Sequence, residues 1–412
     1  MSVSSLPIEG ALAETGFWRF WSARVLSNAS FQIAAVVIGW QVYALTGSAF
    51  DLGLVGLSQF LPMLLLTIPA GHVADRYDRR AVACICQWLV AASAAALAAA
   101  AFFGALTPGL IFAAAAMIGA CRTFENPAMA ALLPALVGPA LLPRALAFSA
   151  SAMQTATILG PALGGLIYLA GPDAAFGLVA LFYASAGLLV RSLRAPAAPN
   201  RAGGRGLAEV LSGFAFIRAK PIVLGAISLD MVAVLLGGAT ALLPIYAHDI
   251  LQTNSIGLGV LRAAPALGAL LTSLVLARHP LKRGVGMKML IAVAAFGLAT
   301  IIFGLSHWLW LSLLALVAMG AADVVSVVIR SSLVQLETPD VMRGRVSAVN
   351  SMFIGTSNQL GEFESGMTAA LFGTVPAAVL GGVGTLLVAL VWSRLFPALR
   401  DVDTMPGSSP KN

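Results

Sequence analysis

The stretch Arg144–Gly165, RALAFSASAMQTATILGPALGG, and the stretch Arg345–Gly366, RVSAVNSMFIGTSNQLGEFESG, decide how this chain is built. Laid over one another at an offset of 201 residues (345 − 144), they match at Arg144 and Arg345, Ala147 and Ala348, and Thr155 and Thr356. They match again at Leu159 and Leu360, Gly160 and Gly361, and Gly165 and Gly366. Further upstream, Gln41–Ala44 falls over Pro244–Ala247, and Gly53, Leu54 and Leu57 fall over Gly257, Leu258 and Leu261. One unit is written twice, in the same direction.

Each copy is made of apolar runs. Hydrophobic residues are 59% of the chain and charged residues 10%, whereas a soluble domain has about 45–50% and 25%. Lipid is the solvent that this composition requires. About 20 apolar residues cross a bilayer core as a helix. That ruler predicts spans near 18–44, 52–73, 81–103, 108–132, 145–169 and 174–194, then 221–247, 255–277, 286–305, 308–334, 346–372 and 375–398. The expected fold is an all-α polytopic membrane protein, with twelve transmembrane helices in two six-helix bundles related by pseudo-two-fold symmetry. Parallel repeats of this kind are related by an axis along the membrane normal, a symmetry that lets one half rock against the other around a midplane site.

Loop charges orient the spans. Arg76, Arg79, Arg80 and Arg144, then Arg191 to Lys220, then Arg278, Lys282, Arg283 and Lys288, and finally Arg343, Arg345, Arg394 and Arg400 fall on every second loop or its edges. The alternate loops, near 45–51, 104–107, 170–173, 248–254, 306–307 and 373–374, hold no Lys or Arg. This pattern places both termini on the cytoplasmic side of the membrane. The expected domains are a tail (1–17), a six-helix bundle (18–194), a linker (195–220), a second bundle (221–398) and a tail (399–412). Within the linker, Leu207, Val210, Leu211, Phe214 and Ile217 keep the i, i+3, i+4, i+7 spacing of an amphipathic helix lying on the inner interface. Residues 1–16 lack a basic n-region and a cleavage site, so no removable signal is expected.

The stretch Gly71-His-Val-Ala-Asp-Arg-Tyr-Asp-Arg-Arg80 resembles the loop signature G-x-x-x-D-R-x-G-R-R/K of the major facilitator superfamily, with Asp78 where that signature has Gly. The resemblance implies a cytoplasmic gate at Gly71, Asp75, Arg76, Arg79 and Arg80, with Asp75 accepting hydrogen bonds from a facing helix N-terminus. Gly160-Pro161-Ala-Leu-Gly164-Gly165 is similar to the G-P-x-x-G-G element of the superfamily's exporters. The segments Ser228–Met231, Leu243-Pro244, Thr338–Val346 and Gly361–Gly366 resemble the enterobactin-exporter and drug:proton-antiporter branch, which implies proton-driven export of siderophores or drug-like molecules.

Ionisable residues inside a bilayer cost several kcal/mol each and mark function. Setting aside Arg19 at the start of span 1, spans 1, 4, 7 and 10 hold Arg24, Arg122, Glu125, Asp230, Asp323 and Arg330. The resemblance implies that these four spans line the central cavity. Asp230, Asp323, Glu125 and, in span 11, Glu362 are the candidates for proton coupling, with Asp230 and Asp323 foremost and Arg122 as the cation that moves toward or away from them. Arg24, Arg122 and Arg330 are the candidates for meeting substrate. Arg122 and Glu125 stand at i, i+3, where they can pair, and Arg330 lies close enough to the inner surface to snorkel. Arg262 is a possible partner for Glu362 or Glu364. Gly160, Gly164 and Gly165 permit close helix packing between the halves, and Pro161 adds a kink.

Other classes fit poorly. No Gly-Lys dipeptide exists for a Walker loop, and no His-Glu-x-x-His spacing exists for a zinc protease. Cys84, Cys86 and Cys121 read as small hydrophobes rather than metal ligands. The expectation is a non-enzyme with no cofactor and no metal site, acting as a monomer in the lipid bilayer on a small-molecule substrate with protons, and without nucleic acid. An importer or lipid flippase of the same fold, or a non-transporting sensor, are the alternatives.

Overall fold

The computed structural model describes residues 16–193, 207–281 and 283–404. Every regular element in them is helical: α1 Phe17–Thr46, α2 Ala49–Arg76, α3 Arg79–Phe102, α4 Pro108–Ile167, α5 Pro172–Arg191, α6 Leu207–Ala219, α7 Pro221–Leu236, α8 Ser255–Arg278, α9 Val285–Leu305, α10 Leu309–Glu337, α11 Asp340–Phe372, α12 Thr374–Leu395 and α13 Pro397–Arg400. Leu65, Phe102, Phe103, Trp308, Trp310 and Leu371 are each at least 70% exposed on helices or at their ends. Such an apolar exterior is stable only against lipid.

Ten of the described helices are long and apolar enough to cross a membrane, and the count of twelve spans follows from two further facts. The 60-residue α4 is about 90 Å long at ~1.5 Å per residue, far more than one crossing. It breaks at Gly138, whose φ of 68° and ψ of 172° are non-helical and are followed by Pro139. A proline cannot donate its backbone N–H and glycine tolerates the left-handed φ, so the chain turns there. The loop expected between spans 4 and 5 is thus a break inside helix, and Arg144 lies on the helical second arm. The second fact is α11, long enough to cross but carrying Asp340, Arg343, Arg345, Glu362 and Glu364.

The chain divides into two compact units. Among the described residues, the first comprises 16–41 and 58–193, and the second 42–57, 207–281 and 283–404. In the first, Phe17, Phe20, Ala83, Leu132, Leu136, Ala186 and Val190 form a core joining α1, α3, α4 and α5. In the second, Leu229, Met289, Val293, Ile329, Leu333 and Val388 join α7, α9, α10 and α12. The α1–α2 corner belongs to the second unit, where Gly53 and Gly366 meet so closely that an added Cβ on Gly366 would lie 2.5 Å from the Gly53 Cα.

The units repeat one another in their packing. An added Cβ on Gly119 would fall 2.3 Å from the Gln59 carbonyl oxygen, and one on Gly320 would fall 1.9 Å from the Pro265 carbonyl oxygen. Gly119 and Gly320 are 201 residues apart, the offset of the matched stretches. Gly160 and Gly361 share that offset too. The first rests on Gln32 of α1, and the second on the Val234 and Leu235 backbone of α7.

In the second unit, α6 covers the base of α11. Its Ile217 is buried with Val223, Ile227, Val334, Val346 and Val349, while Leu211 and Phe214 stay exposed. At the chain's end, residues 402–403 return to α9: the Gly284 N–H donates to Asp403 Oδ1 (2.9 Å) and the Gly286 N–H to the Val402 carbonyl (2.9 Å).

Candidate functional site

In the second unit, Asp230, Asp323 and Arg330 group two acids with one cation in an apolar setting. Asp230, ten residues into α7, accepts from Arg330 Nη1 of α10 at 3.2 Å, with the two side chains 7% and 4% exposed. Arg330 also donates to Asn350 Oδ1 (3.3 Å), and its Nε is buried with no hydrogen-bond partner. Arg330 does not snorkel; the nearby acid holds it inside. Asp323, seven residues before Arg330 on α10, is electrostatically coupled to both Asp230 and Arg330. Both acids line a cavity of about 250 Å³, counted to its mouth, together with Val293, Phe296 and Ser326. Its enclosed part has room for about one water. That cavity suits a proton or a water rather than an organic solute. Beyond Asp230, α7 gives way to a 3₁₀ turn (Ala239–Leu242) and a π-turn (Tyr246–Ile250). Irregular backbone at membrane depth is tolerated where protein encloses it.

The first unit holds two cations and one acid. Glu125 Oε1 accepts from Ser27 Oγ (2.5 Å) and Gln87 Nε2 (2.9 Å), and the residue is 3% exposed. The expected pair of Arg122 with Glu125 does not form. The helical neighbour is turned instead toward α1, with the Arg122 guanidinium carbon 3.8 Å over the Phe31 ring, a cation–π contact. Arg24 Nη2 donates to Met153 Sδ at 3.0 Å, and its Nε is buried without a hydrogen-bond partner. No ion pair within 4 Å joins either arginine to Glu125 among the described residues.

Asp230 and Asp323 share Arg330 as a nearby cation, and Arg122 packs on Phe31 of α1. Sequence reasoning also missed a signal that was available. Arg122 and Asp323 differ by 201 residues, so the repeat places opposite charges at one position, three residues after Gly119 and Gly320.

The remaining candidates scatter. Glu362 on α11 lies beside Gly56, whose added Cβ would sit 3.3 Å from Oε2, and is electrostatically coupled to Arg262 of α8. Glu364 faces elsewhere and accepts from Thr368 Oγ1 (2.9 Å). Gly160 and Gly164 seat α4 on Gln32, Ile33 and Val36 of α1, a contact inside the first unit rather than between the halves. Pro161 and Gly165 are buried beside them, and no kink is seen at Pro161 comparable to that at Gly138. In the loop signature, Gly71 meets open space and Arg76 is exposed; the side chain of Asp75 lies outside the described residues. Arg79 donates to the Ala131 carbonyl (3.4 Å) and Arg80 to the Leu193 carbonyl (2.9 Å). Asp78, where the signature has glycine, caps α3 by accepting from the Arg80 N–H (3.0 Å) and pairs with its guanidinium (2.9 Å). The Arg80 bond holds the Asp78 carboxyl below its ordinary range.

A helical bundle with charges buried in each of two repeated units and a lipid-facing exterior is a membrane transporter of the major facilitator type. The chain belongs to the transmembrane secretion effector family within that superfamily, whose profile matches residues 10–410. It is 26% identical over 393 residues to the enterobactin exporter EntS of Escherichia coli strain K12, covering 93% of this chain and 92% of the relative. The EntS of Escherichia coli O81 strain ED1a is 27% identical over 387 residues, covering 92% and 91%. Among solved structures, a bacterial homologue of the human lysosomal transporter Spinster, inward-facing and occupied, aligns with a TM-score of 0.75 at 13% identity, covering 96% of this chain and 99% of that one. A D-xylose–proton symporter aligns with a TM-score of 0.71 at 14% identity, covering 93% and 98%. These likenesses establish the fold.

Proposed function

We propose that this transporter is a proton-coupled exporter of a small organic molecule, siderophore or drug-like, working by alternating access. It would stand in a bacterial inner membrane with both termini cytoplasmic. The carrying observation is the excess acid in the second unit. Asp230 has Arg330 as counter-charge at 3.2 Å, and Asp323 lines the same small cavity and shares that one cation. A buried anion without a partner is strongly unfavourable. A proton is then the simplest second counter-charge, and its arrival or departure changes the attraction between α7 and α10. Export as the direction is supported by the relatives, which are named as enterobactin exporters.

The test uses proteoliposomes with an imposed pH gradient. Asp230→Asn and Asp323→Asn are each expected to lower gradient-driven transport at least tenfold, while counterflow without a gradient continues in Asp323→Asn. Undiminished gradient-driven transport in both variants would sink the reading.

A further inference from the structure

The first unit has the opposite imbalance, and the acid solution is not open to it. Arg24 and Arg122 carry two positive charges against the single Glu125. A guanidinium does not lose its proton in a protein, so the surplus charge cannot be removed by titration. The existing contacts do not neutralise it. Glu125 is turned to Ser27 and Gln87, Arg24 has a thioether sulfur and a partnerless Nε, and Arg122 has the face of Phe31. Arg24, Phe31, Arg122 and Met153 are each only half-buried, so none of them is sealed inside the unit.

We propose that Arg24 and Arg122 form the recognition site for the anionic group of the cargo, and that the cargo is a small organic acid with an aromatic ring. This rests on the reading of the chain as a transporter and names the chemistry of what it carries. The planar guanidinium fork binds a carboxylate or phenolate through two parallel hydrogen bonds. Phe31 and Met153 offer the flat and polarizable surface on which an aromatic ring packs. Glu125, fixed beside the arginines, repels a second negative charge and a doubly charged ligand less well suited to a +1 site. A cationic cargo would meet net repulsion here.

The full-length protein in detergent micelles, titrated calorimetrically with salicylate, benzoate and benzyltrimethylammonium, tests this. Salicylate and benzoate are expected to bind the wild type and the ammonium ion not to. Arg24→Gln and Arg122→Gln each weaken anion binding at least tenfold, and Arg122→Lys, which keeps the charge, weakens it less than Arg122→Gln. Glu125→Gln tightens it several-fold, a gain that misfolding cannot imitate. Failure of both anions to bind the wild type, equal binding of the ammonium ion, or anion binding indifferent to both arginine changes would each overturn the proposal. Transport is scored separately in proteoliposomes. If gradient-driven transport is absent while arginine-dependent anion binding persists, coupled transport falls and this site stands. If a cation is transported regardless of Arg24→Gln and Arg122→Gln, this site falls and coupled transport stands.

Discussion

Residues 122 and 323 occupy the same place in the two units, 201 positions apart and each three residues after a glycine that touches a neighbouring backbone. One is arginine and the other aspartate. The group around Arg122 thus carries a surplus positive charge that no pH removes, and the group around Asp323 a surplus acid that a single proton neutralises. Duplicated architecture here holds two unlike charges, one permanent and one titratable. The glycines preserve the frame, and the residues one helical turn onward are free to differ.

The strongest way to break this comparison is to remove the cation of the second unit. Arg330→Met leaves Asp230 buried and unpaired, which costs about 3–5 kcal/mol, read as a large fall in melting temperature in detergent. Adding Asp230→Asn removes the stranded charge and should restore most of the loss. A single change costing under ~1 kcal/mol would mean that Asp230 and Arg330 are not a working pair.

Next in size are the glycines that align the units. Gly119→Ala and Gly320→Ala each drive a Cβ into a neighbouring carbonyl oxygen, and overpacking of this kind costs about 1–3 kcal/mol. Gly109→Ala, where a Cβ meets nothing within 4 Å, is the neutral control. Similar losses at 119 and 320 would confirm that the two positions are equivalent in energy as well as in register.

Glu362 and Glu364 offer the same contrast on one helix. Glu362→Gln unbalances Arg262 and should reduce melting temperature by several degrees, whereas Glu364→Gln retains the bond to Thr368 and should change it little. The smallest effect is at the loop. Asp78→Ala removes the cap of α3 and costs about 1 kcal/mol. Because the folded Asp78 carboxyl lies below its ordinary range of about 3.8, its contribution is complete above that pH and fades as acid protonates the folded group. Thermal melts at pH 7 and pH 3 should show the mutant deficit shrinking at the lower value.

Much of the architecture was legible in the sequence. Span number follows from hydropathy, and the six-plus-six division follows from the matched stretches, because both depend on backbone-scale periodicities. The pairing of buried charges was not legible. Arg122 and Glu125 stand at pairing distance along a helix, yet Ser27 and Gln87 claim Glu125 and Phe31 claims Arg122. All three competitors come from other helices, α1 and α3, which no spacing rule along α4 reveals. Arg330 was misplaced for the same reason: its distance from the membrane surface was readable, but its neighbour Asp230, 100 residues away, was not. The break at Gly138 falls in the loop expected between spans 4 and 5, where Gly138-Pro139 followed by Pro143 announces it.

The strand of chain at 402–403 that returns to cap α9 bears on the order in which the protein is made. The first N–H groups of a helix have no partner within it, and those of Gly284 and Gly286 wait for residues synthesised more than a hundred positions later. The first unit can complete its core once residue 193 has left the ribosome, whereas α9 reaches its final bonded state only after residue 403 has been made. Assembly in the membrane is therefore asymmetric in time even where the two units are alike in space.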